Sequence, residues 1–187
     1  FFLTAALDSW VAGIMQATEG YVTSWDAVNE IISGEDADGD GFYDLRSASN
    51  ADADTKSNFY WADYLGNETV VPTVIKMAHK YYAGDGNLKL FINDFNLESW
   101  WDDNKKLKSL IHWIEVWESS DIIKIDGIGT QMHVSYILNE EDQKKQEAAI
   151  ENMFKLMAAT GKLVKISELD MGVNEKAFGE GIKTENI

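Results

Sequence analysis

Glu30 and Glu168 each close a short run of apolar and β-branched residues, and each run reads as a β-strand. Strands that alternate with helices lie parallel, so their carboxyl ends share one rim of the sheet. Two carboxyl groups facing one cleft are suited to cleaving a glycosidic bond. One, protonated, donates to the leaving oxygen; the other, ionised, attacks the carbon or activates water. Spacing alone leaves a plainer alternative open. The chain holds 32 acidic residues, and a glutamate often does no more than end a strand at the surface. A single histidine is likewise more often structural than catalytic, and His79 and His112 fall on predicted helices.

The elements that must position these groups follow from apolar spacing. Helical faces are marked by Leu3, Leu7, Trp10, Val11 and Ile14; by Val71, Val74, Ile75, Ala78 and Tyr82; by Leu107, Leu110, Ile111, Ile114 and Trp117; and by Ile150, Met153, Phe154 and Met157. Gly20 and Gly161 stand where the first and last of these stop, and Pro72 suits a first helical turn. Residues 21–29, 88–93, 163–168 and part of 122–131 read as strands. The order is one helix, three strand–helix units and a final strand. It predicts an α/β fold with four parallel strands. Each run ends in polar residues: Asn29-Glu30, Asn93-Asp94, Gln131 to His133 and Glu168 to Asp170. Parallel sheets carry their chemistry on that rim.

The chain has 187 residues, room for one domain with a sizeable core. Its 16 basic and 32 acidic residues give a net charge of −16, which argues against nucleic acid and against an anionic membrane surface as partners. With 45% hydrophobic and 12% aromatic residues, the chain is not disordered overall. The absence of cysteine excludes a disulfide framework and a thiol nucleophile. No apolar run approaches the ~18 residues of a membrane-spanning helix. The sequence starts at Phe1 with no signal segment, which reads as a processed or excised piece.

Four segments resemble motifs of glycoside hydrolase family 10, the retaining endo-β-1,4-xylanases, and they occur in that family's order. They are Trp25-Asp26-Ala27-Val28-Asn29-Glu30, the stretch from Phe91 to Glu98, the stretch from Ile125 to His133, and Ile166-Ser167-Glu168-Leu169-Asp170. The resemblance implies an incomplete (β/α)8 barrel running from the third helix to the seventh strand, with residues 1–187 forming part of a catalytic domain. It implies that Glu30 is the general acid/base and Glu168 the nucleophile. Asn29 would hydrogen-bond the sugar hydroxyl beside the reacting carbon, and His133 would hold Glu168 ionised. Gln131, Asn96 and Asp170 would touch or support the substrate. Phe95 stands where the family has tyrosine; its ring can still stack on a sugar but cannot hydrogen-bond. The implied substrate is xylan or xylo-oligosaccharide, with no cofactor, and the implied location is secreted, cell-surface or periplasmic. The family barrel needs about 250 residues. The missing half, with the groups that hold the non-reducing-side sugars, would have to come from elsewhere in a parent chain, so the fragment by itself is expected to be inactive.

Residues 33–58 form a polar, acidic loop within the domain. There Asp36, Asp38, Asp40 and Gly41 match positions 1, 3, 5 and 6 of a calcium loop, and Asp44 matches position 9. Position 12, a bidentate glutamate in such loops, is Ser47. A solvated insertion is the simpler reading and a weak calcium site the sharper one. Beyond it, Asn58, Phe59, Tyr60, Trp61 and Tyr64 are candidates either to touch xylan or to pack under the loop. Two rivals to the hydrolase stand beside it: a barrel fragment that only binds β-1,4-linked polysaccharide, and a calcium-braced loop domain.

Overall fold

The structure, a computed structural model, describes residues 2–174. In chain order the elements are α1 (Phe2–Ala17), β1 (Ser24–Asn29), α2 (Ala62–Leu65), α3 (Val70–Tyr81), β2 (Lys89–Phe95), α4 (Lys105–Glu118), β3 (Gly127–Ile137), α5 (Glu140–Ala159) and β4 (Leu163–Asn174). The strands form one sheet in the order β1-β2-β3-β4, and every pair is parallel. This is the alternation expected from the sequence: half of a β/α barrel, four strands with their crossover helices.

Local chemistry explains the elements. In α3, Val71, Ile75 and Ala78 recur at helical spacing and are buried. Pro72 lies in its first turn, where a missing N–H costs no helical bond. Helix α5 begins ten residues before the apolar face that signals it. Its first turn is Glu140, Glu141 and Asp142, acidic groups that suit the positive end of a helix. Asn139 caps it, its side-chain oxygen accepting the N–H groups of Glu141 and Asp142 at 3.1 Å. Strand β2 is buried on both faces over five successive residues, as a central strand must be. The core is built from Leu90 and Ile92 of β2, Ile128 of β3, Leu107, Leu110 and Ile114 of α4, and Met153 and Met157 of α5.

Two strands outrun their sequence signals. Strand β3 begins at Gly127 and reaches Ile137, and β4 continues to Asn174. The extra lengths pair with each other, from Met132 opposite Leu169 to Ile137 opposite Asn174. Gln131, His133, Glu168 and Asp170 therefore lie within strands rather than at their ends. Along this extension of β3, Met132, Val134 and Ile137 are buried while His133 and Tyr136 face solvent, and β4 is exposed on both faces. Among the described residues the outer strand β4 has no further neighbour, and Leu163, Val164, Ile166, Leu169 and Met171 are exposed. At the opposite side, Phe2 and Trp10 of α1 are exposed too.

Candidate active site

Each glutamate follows a β-bulge. The β1–β2 register slips between Asp26 and Val28, leaving Ala27 unpaired, and Glu30 comes just after β1 ends. The β3–β4 register slips at Thr130/Gln131, leaving Ser167 unpaired immediately before Glu168. Bulges bend a strand and redirect the side chains that follow, which is why they collect beside sites. Ala27 occupies the first of these irregularities.

Between the bulges runs a string of side-chain hydrogen bonds that touches all four strands. The Ser167 hydroxyl donates to Asn93 Oδ1 at 2.6 Å. The Asn93 amide donates to Asn29 Oδ1 at 2.8 Å. The Gln131 amide donates to Asn29 Oδ1 at 3.1 Å and to Glu30 Oε1 at 3.0 Å. Asn93 and Gln131 are buried, so their bonds are shielded from competing water. Gly129 makes room for this arrangement: a Cβ there would lie 2.4 Å from Asn93 Oδ1. Glu30's other oxygen faces Arg46, the chain's single arginine, at 3.4 Å.

Glu168 is backbone-paired with Gln131, so the second glutamate stands next to the residue that binds the first. His133 joins Glu168 and Asp170: Nε2 is 3.1 Å from Glu168 Oε2 and Nδ1 is 2.6 Å from Asp170 Oδ2. The hydrogen bond to Asp170, and then Glu168, push the His133 pKa above its ordinary value. Only the imidazolium can donate from both nitrogens at once.

Of the residues singled out by sequence, Asn29, Glu30, Gln131, His133, Glu168 and Asp170 form this assembly. Phe95 lies close by with one ring face taken by Lys106 Nζ, 3.3 Å from the ring centroid. Asn96 follows β2 at φ 57°, and its C=O accepts the Ser99 N–H at 3.3 Å. Sequence reading noted Asn93-Asp94 as a polar strand end but gave no role to either, nor to Ser167, Arg46 or Lys106. Their signals were present: Asn93 and Ser167 lie inside the motifs, and Lys106 breaks the buried face of α4.

The acidic loop brings only part of its proposed ligand set together. Carboxylate oxygens of Asp36, Asp38 and Asp40 lie within 4.8 Å of one another. Asp44 is spent elsewhere, accepting the Ala37 N–H at 2.8 Å. Asp36 is paired with Lys105 at 2.8 Å, and Asp38 and Asp40 accept N–H groups of their own turns. Past the loop, Phe59 stacks on Tyr64 with ring centroids 4.8 Å apart and meets Trp61 edge-on. Phe59, Tyr60 and Trp61 join Trp25, Glu30 and Arg46 in lining a groove of about 470 Å³ that is also lined by α1 and β1.

Among similar proteins is the endo-β-1,4-xylanase Xyn10C of Cellvibrio japonicus, 32% identical over 91% of this chain and 24% of its own. Xylanase B from Clostridium stercorarium F9 superposes with a TM-score of 0.67 at 25% identity, over 97% of this chain and 46% of its own. TsXylA, described as an intracellular xylanase from Thermoanaerobacterium saccharolyticum and solved as a mutant complex with xylotriose, gives 0.62 at 24% identity, over 91% and 44%. The chain thus spans less than half the length of each of these relatives. Residues 2–186 match the glycosyl hydrolase family 10 profile, and the chain belongs to that family.

Proposed function

We propose that this chain carries the two catalytic carboxyl groups of an enzyme that hydrolyses internal β-1,4-xylosidic bonds with retention of configuration. The observation that carries the reading is the hydrogen-bond string from Ser167 through Asn93, Asn29 and Gln131 to Glu30, beside the Glu168–His133–Asp170 group. Glu30, protonated, donates to the bridging oxygen while ionised Glu168 attacks the anomeric carbon. Water then hydrolyses the glycosyl-enzyme with Glu30 as base. His133 donates to Glu168 Oε2 and holds the attacking carboxyl group in place. Asn29 already accepts two hydrogen bonds through its oxygen, so its amide hydrogens are the groups left to bind the sugar hydroxyl beside the reacting carbon. Gln131 and Asp170 hold their neighbours in place, and Phe95 and Asn96 border the leaving-group side.

The substrate is xylan or xylo-oligosaccharide, and no cofactor takes part. Polymeric xylan is met outside the cell, which favours a secreted or surface location; the intracellular relative makes cell fractionation the check. Residues 1–187 on their own should turn over xylan slowly or not at all, because binding energy remote from the reacting carbon drives the chemical step. The acidic loop 33–58 belongs to the same domain.

The test follows a β-linked aryl xylobioside by NMR with the full-length protein. A β-configured first product is expected, with the Glu30 and Glu168 carboxyl groups about 5–5.5 Å apart in a crystal structure. An α-configured first product, or a separation of ~6.5–9.5 Å, overturns the retaining assignment.

A further inference from the structure

The turn that carries Glu30 is held from below. Glu30 has φ 54°, in the left-handed region that residues with a Cβ adopt infrequently. Its N–H donates to the Asn93 C=O at 2.8 Å. Two residues on, the Ile32 N–H donates to Asp94 Oδ2 at 3.0 Å. Asp94 is wholly buried, and its other oxygen accepts the Phe95 N–H at 2.9 Å and faces Lys106 Nζ at 2.7 Å. Lys106 reaches this point from α4, lies against the Phe95 ring, and is within the electrostatic reach of both Glu30 and Arg46. Burial pushes the Asp94 carboxyl up and the Lys106 ammonium down, and each opposes the shift in the other. Three donors converge on Asp94, an arrangement that serves a carboxylate and not a carboxylic acid.

Buried ion pairs contribute little net stability compared with an apolar pair of the same shape. What this pair supplies is direction. Resting on the assignment of Glu30 as acid/base, we propose that Asp94 and Lys106 are positioning residues. Lys106 fixes the Asp94 carboxylate, and Asp94, through the Ile32 N–H, fixes the strained turn that aims Glu30 at the leaving oxygen. Neither needs to touch substrate. A catalytic group displaced by about 1 Å loses on the order of 10²-fold in rate, so a loosened turn should weaken proton donation before it weakens binding.

The test uses the full-length protein and two aryl xylobiosides, one with a poor leaving group and one with a dinitrophenolate. The variant Asp94→Asn/Lys106→Met removes both charges and strands neither. The expected result is a fall in kcat/KM of at least ~10-fold on the poor leaving group, with little change on the activated substrate, which needs no proton. KM should hold while kcat falls, and the basic limb of the pH profile should move. Equal loss on both substrates marks a merely structural role and overturns the proposal, as does no loss on either. A second measurement does not require the variant to fold. In the wild-type protein the Ile32 amide should exchange hydrogen as slowly as the amides of β2; exchange as fast as the acidic loop overturns the proposal. Wild-type protein inactive on both substrates defeats the assignment of Glu30 itself, an outcome distinct from any variant effect.

Discussion

The two glutamates share a rim but not an environment. Glu30 is reached by buried Gln131 and stands over the buried Asp94–Lys106 pair. Glu168 is 48% exposed, and its partners His133 and Asp170 are 44% and 68% exposed. The difference follows from place in the sheet. Glu30 follows β1, whose Asn29 meets β2 and β3 through the buried amides of Asn93 and Gln131. Glu168 lies on β4, which among the described residues pairs on one side alone. The Gln131 donor that reaches Glu30 is buried, whereas the His133 ring that reaches Glu168 is exposed, so the second bond is screened more by water. Wherever a neighbour covers β4, the second group gains what the first already has.

The largest effect expected from breaking this pair is on turnover in the full-length protein. Glu168→Ala should lower kcat by roughly 10⁴-fold or more on every substrate, since no covalent intermediate can form. Glu30→Ala should spare the first step for activated leaving groups and depress it by about 10²–10⁴-fold for poor ones. Steady-state kinetics on both substrate classes decides, and equal losses in the two variants would remove the distinction between acid and nucleophile.

Stability should separate the two regions next. Lys106→Ala leaves Asp94 buried without its cation and should cost about 3–5 kcal/mol. Gln131→Ala removes a buried donor from both Asn29 and Glu30 and should cost ~1–3 kcal/mol. Asp170→Asn, on the exposed side, should cost under about 1 kcal/mol. Urea denaturation of the three variants checks the order; a larger loss from Asp170→Asn than from Gln131→Ala would erase the contrast in burial.

A smaller effect is a pH dependence confined to the Glu168 side. Hydrogen bonds to Asp170 and Glu168 raise the His133 pKa. A group whose folded value lies above its unfolded value stabilises fully below the unfolded value of about 6.5, and loses that contribution as pH rises through the raised one. The excess stability of wild type over His133→Asn should therefore be greatest in mild acid and fade toward alkaline pH. NMR titration of the ring should give a midpoint above 6.5; a midpoint below it would show that the two carboxylates do not act on the ring. Calcium should have the least influence. With Asp44 turned to Ala37 and Ser47 at the twelfth position, the Kd for calcium should be about 10⁻⁴ M or weaker. Calorimetry showing micromolar binding would reverse this.

Much of this organisation was legible in the chain alone. The alternation of apolar faces predicted four parallel strands, because a parallel pair cannot be joined without a crossover. The resemblance of the stretches around Asn29-Glu30, Gln131 to His133 and Glu168 to Asp170 to one family's motifs pointed to a two-carboxyl site, and motif residues adjacent in sequence move together onto one rim. Three features lay beyond reach. The slips at Ala27 and Ser167 depend on how neighbouring strands align, which no single segment encodes. The lengths of β3 and β4 depend on their pairing with each other, since a solvated ladder has no strong apolar signal of its own. Asp94 and Lys106 lie 12 residues apart on a strand and a helix, and nothing in the sequence pairs them. Only packing α4 against β2 removes both from water and sets them under Glu30, because the cost of burying either charge alone is met by the presence of the other.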